Sequence, residues 1–282
     1  MPDVHVNGCR IWYEVKGSGD YVLQIGGAGF AHENFGMVTE AFQRQFTVID
    51  FDLRGYGLSD RPEQRYTMEV WADDIAAMLD AIGVAKTHVH GTSMGGMVAL
   101  KLAAKYPEKV DGLVVGCSSA KSDWMSRARW EVWKGLAKAY GMGSEVLAME
   151  IASQALSRRF LDSERGPEVA KVIQGVLERN CSVEVFCAAC DAMTEMDLTS
   201  DLPLIAAPTL VMDGNEDILT PITQGPQGAG SDVIANLIPN AELYVFDGVA
   251  HTNLMEVPEL SVEVVSDFFR KVSTQGKTAA AS

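Results

Sequence analysis

The stretch HGTSMGGM, His90 to Met97, sets one serine among three glycines. Glycine weakens strands and helices alike, so this crowding is unfavourable unless the backbone requires it. The residues before it, KTHVH, read as the end of a short strand. Those after it, MVALKLAAKY, read as a helix with Met97, Val98, Leu100 and Leu102 set among alanines. A strand that turns sharply into a helix with Ser93 at the apex leaves no room for large side chains two residues to either side. Gly91 and Gly95 supply that room. G-x-S-x-G in a strand–turn–helix setting is the pattern of a nucleophile elbow, which makes Ser93 the candidate nucleophile.

Outward from the elbow, short apolar strands alternate with helices. YVLQI, FTVIDFD, THVH, LVVGCSS, TLVMDG and LYVFDG read as buried strands. MEVWADDIAAMLDAIG reads as a helix with Val70, Ile75, Met78, Leu79 and Ile82 at apolar positions. This alternation predicts an α/β fold, a mostly parallel central sheet with helices on both faces. At the N-terminus, VHVNGCRIWYEV carries Asn-Gly between two apolar-rich runs, a hairpin signal. From Lys121 to Asp201 the patterns are helical with no convincing strand. Residues 1–120 and 202–282 are therefore expected to form the core, and 121–201 a helical cap inserted between two sheet strands. Ligands of open α/β sheets bind at the carboxyl ends of the strands, where such a cap would sit. Its candidate substrate-binding residues are Trp124, Trp130, Trp133, Phe186 and Met193, with Met125 beside them. The C-terminal QGKTAAAS reads as a frayed tail.

A chain of 282 residues with 47% hydrophobic content can bury a large core. No apolar run approaches the roughly 20 residues of a membrane span, and MPDVHVNGCR lacks the basic-then-apolar order of a secretory signal. The cysteines number five, with irregular spacing. Cys187 and Cys190 form C-x-x-C without a second pair or a histidine cluster, so they read as small apolar residues on a helix, not as a metal or redox site. No cofactor and no metal are expected, and the location expected is cytoplasmic.

The net charge of −15 is unevenly spread. Between Arg179 and Arg270 there are 15 acidic residues and no Lys or Arg, while the remainder holds 23 of each sign. Without a basic face, nucleic acid is not an expected partner. The acidity reads as solubility. An anionic substrate would need bases from the cap, which offers Arg127, Arg129, Arg158 and Arg159. The last two point about 100° apart on a helix, so at most one would face the cleft. A neutral, largely apolar small molecule is the favoured partner, and a homodimer is left open.

A serine hydroxyl needs a base to take its proton, commonly a histidine oriented by a carboxylate. His5 and His88 lie in strands, His32 in a loop, and His90 at a buried strand end. His251, in DGVAHTNLMEVPE, follows a strand and precedes a helix, where a sheet presents side chains at its carboxyl edge. It is the candidate base. TLVMDGNEDILTP offers Asp213, Glu216 and Asp217, and Asp217 is chosen, with Asp213 or an acid near Asp123 next in line. The tetrahedral oxyanion needs two N–H donors. Met94 at the start of the helix is one, and Gly27 of GGAGF is the other, with Ala28 as its alternative.

Taken together, GGAGF, DFDLRGYGLSD, GTSMGG, GNEDILTP and GVAHTNLMEVPE resemble the α/β-hydrolase superfamily over nearly the whole chain. Within it, the segment SVEVFCAACDAMTEMDLTSDLPLIAAPTLVMDG is similar in rhythm to the end of the cap of the 3-oxoadipate enol-lactonases. The resemblance implies a Ser93–Asp217–His251 triad, no cofactor, and DLRGYGLSD as a structural loop near the site. One departure is Ile25-Gly26, where many members carry His-Gly. The activity implied is cleavage of a small carboxylic ester or lactone through an acyl-enzyme. The alternatives are carbon–carbon cleavage of a vinylogous diketone and a ligand-sensing receptor of the same fold.

Overall fold

Asn7 and Gly8 both hold positive φ, 49° and 71°, the backbone that a two-residue hairpin turn requires. They join β1 (Asp3–Val6) to β2 (Cys9–Gly17) in antiparallel register, with Val6 opposite Cys9. The computed structural model describes residues 2–280, and side chains through residue 276. Six further strands follow: β3 (Tyr21–Ile25), β4 (Thr47–Phe51), β5 (Thr87–Thr92), β6 (Val110–Gly116), β7 (Thr209–Gly214) and β8 (Ala241–Phe246). Their order across the sheet is β1-β2-β4-β3-β5-β6-β7-β8. The sheet is parallel from β4 onward, and β1 and β2 are antiparallel. This is the expected α/β sheet. Strands β5 and β7 are buried at every residue, as parallel strands covered on both faces must be.

Two cores flank the sheet, and strand alternation assigns residues to them. Leu23, Ile25, Ile49, Val89 and Val115 face α2 (Met68–Ala81) and α3 (Met94–Lys105). Val22, Val48, Val114 and Met212 face Phe42 of α1 (Thr39–Gln43) and Phe268 and Phe269 of the C-terminal helix Pro258–Ala280. That helix continues through most of the stretch read as a frayed tail, because Gln, Lys and Ala all favour helix. Residues 281 and 282 lie outside the described part. Among the described residues no helix is long and apolar enough to cross a membrane.

Between β6 and β7 the chain forms only helices: α4 (Trp124–Tyr140), α5 (Glu145–Ala155), α6 (Arg158–Leu161), α7 (Gly166–Asn180) and α8 (Val183–Glu195). Four of them begin on a side-chain cap, where Asp123, Ser144, Ser157 or Ser182 accepts an N–H three residues on. Lys121 bridges to both Asp197 and Ala229, so the two ends of the insertion are held together.

One row of the sheet breaks the apolar pattern. Asp50, Gln24 and His90 stand side by side on β4, β3 and β5. Asp50 Oδ1 and all the polar side-chain atoms of Gln24 and His90 are buried without a hydrogen-bond partner. His90 is a packed core residue with Phe35 and Phe42 edge-on at 5.0 and 6.0 Å, and burial lowers its pKa to about 3. Burial raises Asp50 from 3.8 to about 6. A raised folded pKa means that the stabilisation is complete below the unfolded value and is lost as pH rises through about 6. Asp50→Asn should therefore match the parent near pH 4 and exceed it near pH 8 by about 2 kcal/mol, a few degrees of Tm. Melting curves at both pH values check this; an equal difference at the two would refute it.

Candidate functional site

Ser93 sits between β5 and α3 with φ 55° and ψ −124°, a backbone that side-chain-bearing residues seldom adopt. The neighbouring glycines are required by contact. A Cβ at Gly91 would stand 2.3 Å from the Gly95 carbonyl oxygen, and one at Gly95 would stand 2.1 Å from that of Ile25. The apex is tied down from the next strand, since Ser93 N donates to Gly116 O at 2.9 Å and Ser118 Oγ donates to Ser93 O at 2.8 Å. Met94 opens α3, so its N–H has no acceptor one turn earlier in the helix.

The loop after β3 lies directly against the serine. A Cβ on Gly27 would be 3.2 Å from Ser93 Cβ and 3.6 Å from its Oγ. The Gly27 N–H donates to Asn34 Oδ1 over a long 3.4 Å, and Asn34 Nδ2 donates to Thr92 Oγ1 at 3.0 Å. Ile25 at the end of β3 is buried and apolar, and Asn34 and Thr92 hold the loop. Neither was singled out from the sequence. The available signal was their polarity, one beside the nucleophile and one in the turn (His32–Phe35) that follows the glycine loop.

Asp217, in the turn after β7, faces His251, in the loop after β8. His251 Nδ1 lies 2.8 Å from Asp217 Oδ2. Asp217 Oδ1 accepts the N–H groups of Leu219 and Thr220 at 2.7 and 3.1 Å, and Oδ2 also accepts Thr220 Oγ1 at 3.1 Å. Burial alone would raise this carboxyl group. The charge and hydrogen bond of His251, with the two amides, outweigh burial and hold it below the usual carboxylate range. In the neutral imidazole, an Nδ1–H donated to Asp217 leaves the lone pair on Nε2. The other acids lie elsewhere: Glu216 is exposed, Asp123 caps α4 and accepts from Ser126 and Gly225, and Asp213 is buried beside Asp217. Cys117, Asp213 and Asp217 are the one group of potential ligand atoms close enough to surround an ion among the described residues. With four donors already on Asp217, that cluster does not fit one.

DFDLRGYGLSD is a brace. Asp52 Oδ1 accepts from both His32 N and His32 Nδ1 at 2.8 Å, and Oδ2 accepts from Leu58 N at 2.8 Å. Arg54 pairs with Asp74 through two bonds of 2.6 and 2.7 Å.

Ser93, His251, Gly27, Asn34 and Thr92 border one cavity of about 70 Å³ between the sheet and the insertion. Its walls include Trp130, Trp133 and Met193, and among the described residues its one ionisable lining side chain is His251. Three of the insertion residues named from the sequence, Trp124, Met125 and Phe186, do not line it. Trp124 is 72% exposed at the start of α4, because the first turn of that helix projects beyond its packed face. Phe186 is fully buried one layer behind, stacked on Trp133 at 6.2 Å and close to Gly29. The arginines are engaged elsewhere. Arg127 bonds the Ser122 carbonyl, Arg129 that of Ile218 and Arg159 that of Gly248, and Arg158 pairs with Asp162.

A model of the alpha/beta hydrolase fold family matches residues 22–258. The chain is similar to 3-oxoadipate enol-lactonase 1 of Acinetobacter baylyi, 28% identical over 236 residues and 82% of each chain. It is also similar to the 2-hydroxymuconate semialdehyde hydrolase of Pseudomonas putida, 30% identical over 276 residues, 93% of this chain and 91% of the other. Among solved structures, a thermophilic esterase from Thermogutta terrifontis superposes with a TM-score of 0.84 at 27% identity, covering 96% of this chain and 99% of that one. With its eight-stranded sheet, its elbow and a family match across most of its length, the chain belongs to the α/β-hydrolase superfamily.

Proposed function

We propose that the protein is a serine hydrolase that cleaves small, neutral, largely apolar carboxylic esters or lactones through an acyl-enzyme. The observation that carries this reading is a single apolar cavity bordered by Ser93, by His251 with Asp217 behind it, and by Gly27. His251 Nε2 takes the proton of Ser93 Oγ as the oxygen attacks the substrate carbonyl. The N–H groups of Met94 and Gly27 receive the oxyanion, the Gly27 N–H turning to it from its long 3.4 Å bond to Asn34 Oδ1. His251 then gives its proton to the departing alkoxide. It next activates a water that hydrolyses the acyl-serine and frees the acid. The five cysteines, all free and buried, fit a reducing cytoplasmic setting.

Neutral substrates are favoured because, among the described residues, the lining holds no Lys or Arg. A carboxylate entering it would lose its hydration without gaining a counter-ion. Carbon–carbon cleavage is the second reading, supported by the similarity to the 2-hydroxymuconate semialdehyde hydrolase across 93% of this chain. A panel of short esters, lactones and vinylogous diketones separates the two. Binding without turnover would favour the receptor reading.

A fluorophosphonate probe should label Ser93. Ser93→Ala and His251→Ala should each lower kcat by about three orders of magnitude or more with the fold intact, and normal turnover by Ser93→Ala would end the proposal. Asn34→Ala and Thr92→Val should lower kcat more than they raise KM, and the double variant should lose little beyond Asn34→Ala, because the two side chains act as one brace. Additive losses would show them to be independent. For substrate charge, kcat/KM for a lactone should exceed that for its carboxylate-bearing analogue at low and high salt alike. A preference for the acidic analogue that fades with salt would overturn the neutral class.

A further inference from the structure

Asp213 is the next-to-last residue of β7 and is fully buried. Its Oδ1 accepts the Gly214 N–H at 2.9 Å, and its Oδ2 meets the hydroxyl of Ser231, the first residue of the helix Ser231–Leu237. No ion pair reaches it among the described residues. A carboxyl oxygen of Asp213, one of Asp217 and the thiol of Cys117 lie within 4.8 Å of one another. Two carboxyl groups this close in a dry interior do not both ionise. Their partners decide which one keeps the proton. Asp217 receives four donors, including His251, and these favour its charged form. Asp213 has one amide and one hydroxyl. Burial and the neighbouring Asp217 charge push Asp213 well above the usual range, whereas Asp217 stays below it. The other titratable groups nearby are Cys117, whose thiol burial pushes up, and His251 beyond Asp217.

We propose that Asp213 is a positioning residue of the triad, whose buried carboxyl group holds one proton against the Asp217 carboxylate so that the pair presents a single negative charge to His251. The assignment rests on the hydrolase reading, because Asp213 acts only through Asp217. An ionised Asp213 would double the charge behind His251 and make it more basic. A missing side chain would leave a gap beside Asp217, whose orientation would then rest on Leu219, Thr220 and His251 alone.

The test compares the full-length parent with Asp213→Asn, which is neutral and nearly isosteric, and with Asp213→Ala. Difference infrared spectra at neutral pH should show a protonated-carboxyl stretch in the parent that is absent from Asp213→Asn. The acid limb of kcat/KM should be unmoved in Asp213→Asn, whereas Asp213→Ala should lose about tenfold in kcat with little change in KM. The stabilisation from a raised acid is present below the unfolded carboxylate pKa and lost as pH rises, so Asp213→Asn should gain Tm over the parent between pH about 4 and about 8. Three results would overturn the proposal: no protonated-carboxyl band, an acid limb displaced to lower pH in Asp213→Asn, or a stoichiometric metal in the purified parent. Should Asp213→Ala fail to fold, the infrared and pH arms of Asp213→Asn still decide. Unchanged turnover by Ser93→Ala would instead remove the hydrolase reading, while the infrared band would still report where the proton sits.

Discussion

Two backbones meet at the top of the sheet more closely than any side chain allows, and the site is built on that contact. Gly95 in the first turn of α3 lies against the carbonyls of Ile25 and Gly26 at the end of β3, where an added Cβ would fall 2.1 and 2.6 Å from the two oxygens. This approach brings the elbow and the glycine loop together. Ser93 is left at positive φ with Gly27 beside its Oγ. A larger residue at 95 would push the elbow away from the glycine loop, and one at 91 would push α3 away from β5; misplacement of about an ångström is severe for catalysis.

The polar parts of the site are supported from below and the apolar parts from above. Asp217, Thr220 and His251 form one hydrogen-bonded group on the ends of β7 and β8. Trp130 and Trp133 of α4 and Met193 of α8 close the chamber opposite them. Glu256 joins the halves, accepting from Ser157 N at the start of α6 and from Ala250 N beside His251, each at 3.1 Å. A chamber walled by indoles and aliphatic side chains has a low local dielectric, in which each hydrogen bond to a developing charge is strengthened. The same walls make a stray buried charge unfavourable, which explains why the cap arginines remain outside the lining.

The strands, the Asn7-Gly8 hairpin and the helical insertion are legible because each depends on local pattern: period-2 burial, turn chemistry and glycine placement. The sequence likewise named Ser93, Asp217, His251 and Gly27, and the fold places them around one cavity or in direct contact with it, because each stands at a strand end in a short motif. The insertion was harder. Trp124 and Phe186 share the apolar character of Trp130 and Trp133, yet one faces solvent and the other lies a layer behind the wall. Helical spacing gives relative direction within a helix, and only packing between helices fixes which stripe meets the sheet.

What the sequence determined by itself was the fold class and the order of the candidate catalytic groups, both carried by short-range constraints on backbone shape. Tertiary structure alone decided the Asn34–Thr92 brace, with partners 58 residues apart, the unpartnered row Asp50–Gln24–His90, and the pairing of Asp213 with Asp217. It also decided that no Lys or Arg among the described residues lines the chamber. These outcomes depend on which side chains the sheet and cap bring together across long sequence separations, and on the loss of water there, which sets the cost of each buried polar group.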